Sequence, residues 1–206
     1  DDALLKYINY GGLPGLKQIG LDDEELVWDY IKGVYHTVVL KDIVERNSIR
    51  NMALLNTLLR YFADTTGKLC SLNNISKFIK SQGQDVAVKS ISSYLSYLKD
   101  AYLLSTADRY DIHGKKLLES NEKLYFGDIG IRNLIAGGER EGDIEKIVEN
   151  IVFQQLLRMG YTVNVGQLRA GEVDFVCTKS NERIYVQAAY LIASKETENR
   201  EFGSLE

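Results

Sequence analysis

Between residues 51 and 127 the apolar residues set an element order that few folds accommodate, three helices in succession and then two strands. Leu54, Leu55, Leu58, Leu59 and Phe62 share one face of a helix that ends at Gly67. Ser71 is suited to cap a second helix carrying Leu72, Ile75, Phe78 and Ile79, which stops at Gly83. Asp85 is expected to cap a third, whose apolar face is Val88, Ile91, Leu95, Leu98 and Tyr102. Leu103 to Tyr110 and Lys123 to Phe126 read as strands joined by a polar loop, Asp111 to Glu122. This order predicts a winged helix-turn-helix. Opposite the apolar face of the third helix lie Lys89, Ser92, Ser93, Ser96 and Lys99. Small side chains let a helix sit deep in a DNA groove and lysines meet phosphates, so these five, with Arg109, Lys115 and Lys116 on the ribbon, are the candidate nucleic-acid contacts. A solvated helix shows the same face, and the fold also serves protein docking.

The flanks differ from this centre. Residues 1–50 begin with a helix bearing Leu4, Leu5, Tyr7 and Ile8 and turn at Gly11-Gly12-Leu13-Pro14-Gly15. Asp22-Asp23-Glu24-Glu25 then opens a helix with Leu26, Tyr30, Ile31, Val34 and Tyr35 on one face. After residue 136, Asp143 heads a helix over Ile144 to Met159, followed by strands at Tyr161 to Val165, Val173 to Cys177 and Ile184 to Ala189. The expectation is an α+β chain of three parts: a helical linker at 1–50, a winged-helix domain at 51–135, and an α/β domain at 136–206 that is incomplete at its carboxyl end. A chain that starts at Asp1 and stops at Glu206 reads as a fragment of a longer protein.

Composition narrows the classes. With 45% hydrophobic and 26% charged residues among 206, disorder is excluded. The longest nearly apolar run, Ile184 to Ala193, contains Gln187 and is about half a membrane span. No membrane partner is expected from so short a run, and Cys70 and Cys177, which have no metal-type spacing, point to a reducing, cytoplasmic setting. The net charge of −4 divides into −4 over residues 1–49, +4 over 50–110 and −4 over 111–206. A polyanion would therefore meet the middle segment.

Glu149 on the last helix, Glu172-Val173-Asp174 entering a strand, and Gln187 on the next strand resemble the core of PD-(D/E)xK nucleases. That chemistry gathers hard oxygen ligands around magnesium, with a lysine that helps activate water and stabilises the developing phosphorane charge. Here the last triplet is Gln187-Ala188-Ala189, and the lysine is missing. Loss of one such donor costs about 10²–10³ in rate, so Glu149, Asp174 and Gln187 are read as a vestigial core. No bound metal is expected, and any there were would sit on Glu149 and Asp174. Thr66-Gly67-Lys68-Leu69 lacks the hydroxyl and the first glycine of a phosphate-binding loop, and Gly166 to Gly171 is taken as a plain loop. His36 and His113 are far apart and carry no shared site.

Six segments in order give the whole chain a resemblance: Tyr10-Gly11-Gly12-Leu13-Pro14, Tyr35 to Ile43, Ser93-Tyr94-Leu95, Lys123 to Arg132, Glu149-Asn150 and Glu172-Val173-Asp174-Phe175. Together they look like the carboxyl-terminal half of bacterial and archaeal AAA+-type ATPases, where a domain of unknown function follows the P-loop module. The resemblance implies a winged helix and a nuclease-like fold, an ATPase module upstream of Asp1, and ATP and magnesium bound there rather than in this chain. The expected function is a non-catalytic, nucleic-acid-associated targeting or regulatory module. Its alternatives are a protein-interaction module without a DNA role and a weak magnesium-dependent nuclease. The upstream module, DNA and further copies of the chain are the partners it leaves open. Asp128 and Arg132, spaced i,i+4, are expected to form an ion pair joining two domains.

Overall fold

The computed structural model describes residues 2–138, 142–169 and 171–190. The end of the apolar run to Ala193 and the tail to Glu206 lie outside the described residues. The chain forms two compact units, one of residues 1–66, 71–105 and 126–139 and the other of 67–70, 106–125 and 140–206. They interleave along the sequence, so the boundaries expected at 50/51 and 135/136 do not separate them.

The first unit is helical. It contains α1 (Asp2–Tyr10), α2 (Leu16–Ile19), α3 (Glu24–Thr37), a π-helical continuation (Val38–Glu45), α4 (Met52–Asp64), α5 (Leu72–Ser81), α6 (Val88–Asp100) and α7 (Ile129–Ala136). Side chains satisfy the first free N–H groups of three helices: Asp23 accepts from Leu26 N at 3.1 Å, Asn51 from Leu54 N at 2.9 Å and Ser71 from Asn74 N at 3.2 Å. The cap expected of Asp85 is not made. Ala87 holds the cap position of α6, and the Asp85 carboxylate lies 3.5 Å from Lys80 Nζ. Ile91, Leu95 and Leu98 of α6 are buried, as are Leu55 and Leu58 of α4 and Ile75 and Ile79 of α5. Phe78 is half-buried against the Tyr61 ring, with centroids 4.7 Å apart. On α3 the buried pair is Val27 and Ile31, while Leu26 faces solvent, and Leu4 and Leu5 of α1 are exposed as well. Both helices are apolar on more than one face, so periodicity alone misplaced the inner one.

Two of the glycine-bearing segments meet. Asp128 caps α7, accepting from Ile131 N at 3.1 Å, and its other carboxylate oxygen accepts from Gly12 N at 2.9 Å. A Cβ on Gly130 would overlap the Tyr10 carbonyl oxygen. Arg132, fully buried, donates from Nε to the Ala63 carbonyl at 3.0 Å and from Nη1 to Asn133 Oδ1 at 3.2 Å. The Asn133 amide in turn donates to the carbonyls of Ile8 and Asn9, both at 2.9 Å. These bonds of Asp128, Arg132 and Asn133 tie α1 and the turn after it, α4 and α7 together inside the first unit.

Among the described residues the second unit is a six-stranded sheet with one long helix. Its strands are β1 (Leu69–Cys70), β2 (Leu104–Asp111), β3 (Lys116–Phe126), β4 (Thr162–Gln167), β5 (Glu172–Lys179) and β6 (Glu182–Val186), in the order β1-β3-β2-β4-β5-β6. The ribbon expected as a free wing is instead the inner part of this sheet. Its strand β2 pairs in parallel with β4, Arg109 opposite Val165 and Asp111 opposite Gln167. Pairing on both sides removes the bare edge a two-stranded wing would leave. The polar loop is also shorter than expected, because Asp111 accepts from His113 N at 3.1 Å and Gly114 N at 2.9 Å and so closes a tight turn. Gly166 lies within β4, not in a loop. Helix α8 (Ile144–Arg158) sends Phe153 and Leu156 into a core with Ala107, Tyr125, Val163, Val165, Phe175 and Cys177. The Tyr125 and Phe153 rings stack at 4.1 Å.

Leu95→Ala should destabilise the chain by about 2–5 kcal/mol in urea unfolding, and Ser92→Ala on the outer face of the same helix by less than about 0.5 kcal/mol. Gly130→Ala should cost about 1–3 kcal/mol or more, because the atom it meets is backbone and cannot rotate away.

Candidate functional site

The second unit gathers four charged side chains from three elements. Lys123 leaves β3, Glu149 leaves α8, and Glu172 and Asp174 leave β5. Lys123 Nζ lies 2.9 Å from Glu149 Oε1, 2.5 Å from Glu172 Oε1 and 4.0 Å from Asp174 Oδ1. Its side chain is 6% exposed, against 16% for Glu149, 30% for Glu172 and 14% for Asp174. Tyr125, two residues along β3 and thus on the same side of the strand, donates its hydroxyl to the same Glu149 Oε1 at 2.7 Å. Beyond β6, Ala188 N donates to Asp174 Oδ2 at 2.9 Å, while the Gln187 carboxamide oxygen accepts from Asp174 N at 3.2 Å. Side chains here continue the β5–β6 pairing past Val186.

The electrostatics follow from three carboxylates facing one ammonium. Burial pulls the Lys123 pKa down, but the charges of Glu149 and Glu172 outweigh it and hold the ammonium above the ordinary lysine value. Burial, and next the Glu149 charge, push Asp174 up to about 6, with the Ala188 N–H and Lys123 opposing. Burial and Glu149 also raise the Tyr125 hydroxyl well above its usual value, so it remains a donor.

Of the vestigial core read from sequence, Glu149, Asp174 and Gln187 are all found at this cluster. The lysine was missed. Position 189 is alanine, yet an ammonium reaches the carboxylates from β3. The donor set, carboxylates and a carboxamide, is chemically suited to magnesium, but its arrangement is not. Among the described residues no group of three or more Asp, Glu, His or Cys is placed to hold a metal ion. Lys123 Nζ is bonded to both Glu149 and Glu172.

The other candidates are dispersed. On α6, Lys89, Ser92 and Ser96 are exposed and Ser93 and Lys99 half-exposed, all in the first unit. Lys115 and Lys116 are exposed at the β2–β3 turn of the second unit. Arg109 turns a guanidinium nitrogen, Nη2, to the Gln167 carboxamide oxygen, and its Nε is buried without a partner. Among the described residues no helix is long and apolar enough to cross a membrane.

A helical unit and a mixed-sheet unit with a lysine-centred carboxylate cluster define an α+β chain. It belongs to a family described as a domain of unknown function, DUF8612, which matches residues 1–141. An uncharacterized protein of Haemophilus influenzae is 35% identical over 97% of this chain and 49% of its own length. An uncharacterized protein of Methanocaldococcus jannaschii is 30% identical over 91% of this chain and 42% of its own length. The chain thus spans about half the length of these relatives. No solved structure matches it significantly.

Asp174 should titrate near pH 6 by carboxyl-carbon NMR, instead of near 4. Because the folded state binds this proton more tightly than the unfolded chain, the contribution of Asp174 to stability is present below about pH 4 and is lost as pH rises through about 6. Urea unfolding of Asp174→Asn at pH 4.5 and 7 should show a smaller decline over that interval than the unaltered chain.

Proposed function

We propose that this chain is a non-catalytic, nucleic-acid-associated module of a longer protein, and that helix α6 is the element that meets DNA. The observation that carries this reading is the division of α6 into two faces. Ile91, Leu95 and Leu98 are buried, while the opposite side presents Lys89, Ser92 and Ser96 to solvent with Ser93 and Lys99 beside them. With α5 packed against α6 and α4 against α5, that arrangement matches the recognition helix of a helix-turn-helix, the finer fold we assign to 51–100. The net charge of +4 over residues 50–110 supports the same face. Relatives about twice as long, together with the resemblance to AAA+-type ATPases, support an ATPase as the remainder of the full protein, with ATP and magnesium bound there. The absence of catalysis is supported by Lys123, whose ammonium is paired with Glu149 and Glu172, two of the carboxylates that a nuclease would offer to magnesium.

Fluorescence anisotropy at low salt tests the reading. Binding should be weak, with a dissociation constant of about 10⁻⁴ to 10⁻⁶ M, and should fall as salt rises. Lys89→Gln with Lys99→Gln should weaken binding to every sequence and flatten the log-affinity against log-salt slope by about two units. Binding unaffected by the double substitution would point to protein docking as the role of this helix. Incubation of the chain with DNA or RNA and magnesium should give no cleavage.

A further inference from the structure

We infer that Lys123 is the resident cation of the second unit: its ammonium occupies the space among Glu149, Glu172 and Asp174 on which their oxygens would otherwise converge to hold a divalent metal ion, so the cluster is closed to metal while the lysine remains.

The geometry carries this. The ammonium has three N–H donors, and two of the three carboxylates lie at 2.9 and 2.5 Å, with the third at 4.0 Å. A divalent ion bound by the same oxygens would stand within a few ångströms of Nζ and be repelled by it. Tyr125 adds a second donor to Glu149 Oε1 at 2.7 Å, so this oxygen is already taken twice. Asp174 Oδ2 is engaged by the Ala188 N–H. Lys123 cannot swing away freely, because its side chain is 6% exposed and extends from a strand whose Tyr125 is packed in the core. Solvating the ammonium elsewhere would strip Glu149 and Glu172 of their partner in a partly desolvated site. The raised pKa of Lys123 is consistent with a permanently charged group.

The inference goes beyond the non-catalytic reading by naming what blocks the site. It rests on the second unit alone, so failure of DNA binding by α6 leaves it untouched.

The test is Mn²⁺ binding, measured by isothermal titration calorimetry and by paramagnetic broadening of the Asp174 and Gln187 resonances, on the whole chain. The unaltered chain should show no saturable binding at this cluster, and its melting temperature should not respond to Mn²⁺ or to EDTA. Lys123→Met removes the charge at similar length and should gain Mn²⁺ affinity by about tenfold or more, since one repelling charge a few ångströms away is gone. The gain should disappear in Lys123→Met with Asp174→Asn, and Lys123→Arg, which keeps the charge, should not show it. A lysine that merely braces the fold would give no gain. A Lys123→Met chain that is folded by circular dichroism and binds no Mn²⁺ overturns the inference. Saturable binding by the unaltered chain that Asp174→Asn abolishes overturns it too, and needs no Lys123 variant to be stable. If that binding came with DNA cleavage, the non-catalytic reading would fall with it; binding without cleavage would leave that reading standing.

Discussion

An ammonium taken out of water must be met by carboxylates, and this requirement organises the second unit. Lys123 is 5% exposed, and removing either partner of such a buried pair typically costs about 3–5 kcal/mol because the remaining charge is stranded. Strand β3 therefore has to lie where α8 can deliver Glu149 and where β5 can deliver Glu172. The same contacts fix Tyr125, whose ring stacks on Phe153 one turn further along α8. Asp174 is the member whose contact to the ammonium is longest, and burial first, then the charge of Glu149, raises its pKa to about 6.

The first unit is held differently. Its central bonds run from one segment's side chains to another's backbone, as when Asp128 accepts from Gly12 N or Arg132 donates to the Ala63 carbonyl. Such bonds require close approach, which explains glycine at 130, where any side chain would meet the Tyr10 carbonyl. The segments Tyr10 to Pro14 and Lys123 to Arg132, which carry much of the resemblance to other proteins, thus include residues that fasten α1 to α7. Those residues read as determinants of the fold of the first unit, and α6 is left to offer a surface.

Local signals were legible and long-range ones were not. The α4–α6 helices follow from apolar spacing, and Ser71 caps α5 through a bond spanning three residues. Glu149 and Asp174 could be singled out because their chemistry and order are distinctive. Lys123 could not be tied to them, since it lies 26 residues from Glu149 along the chain and in a different element. The available signal was a charged residue directly before the apolar run Leu124-Tyr125-Phe126, on the same side as Tyr125. The fate of the β2–β3 ribbon was equally hidden. Nothing in residues 104–126 announces that β2 will pair in parallel with β4, a partner more than 50 residues later, because parallel neighbours need a crossover that local turn chemistry does not encode.

The protonation state of Lys123 is the most direct measure of whether its ammonium is the internal counter-ion of the carboxylates. Nitrogen-15 NMR of the Lys123 side chain should show an ammonium that stays protonated beyond the ordinary lysine value of 10.5, with its protons exchanging slowly with water. A Lys123 amine that titrates below that value would mean burial has overcome the carboxylates, and the cluster would then lack the cation on which this account is built.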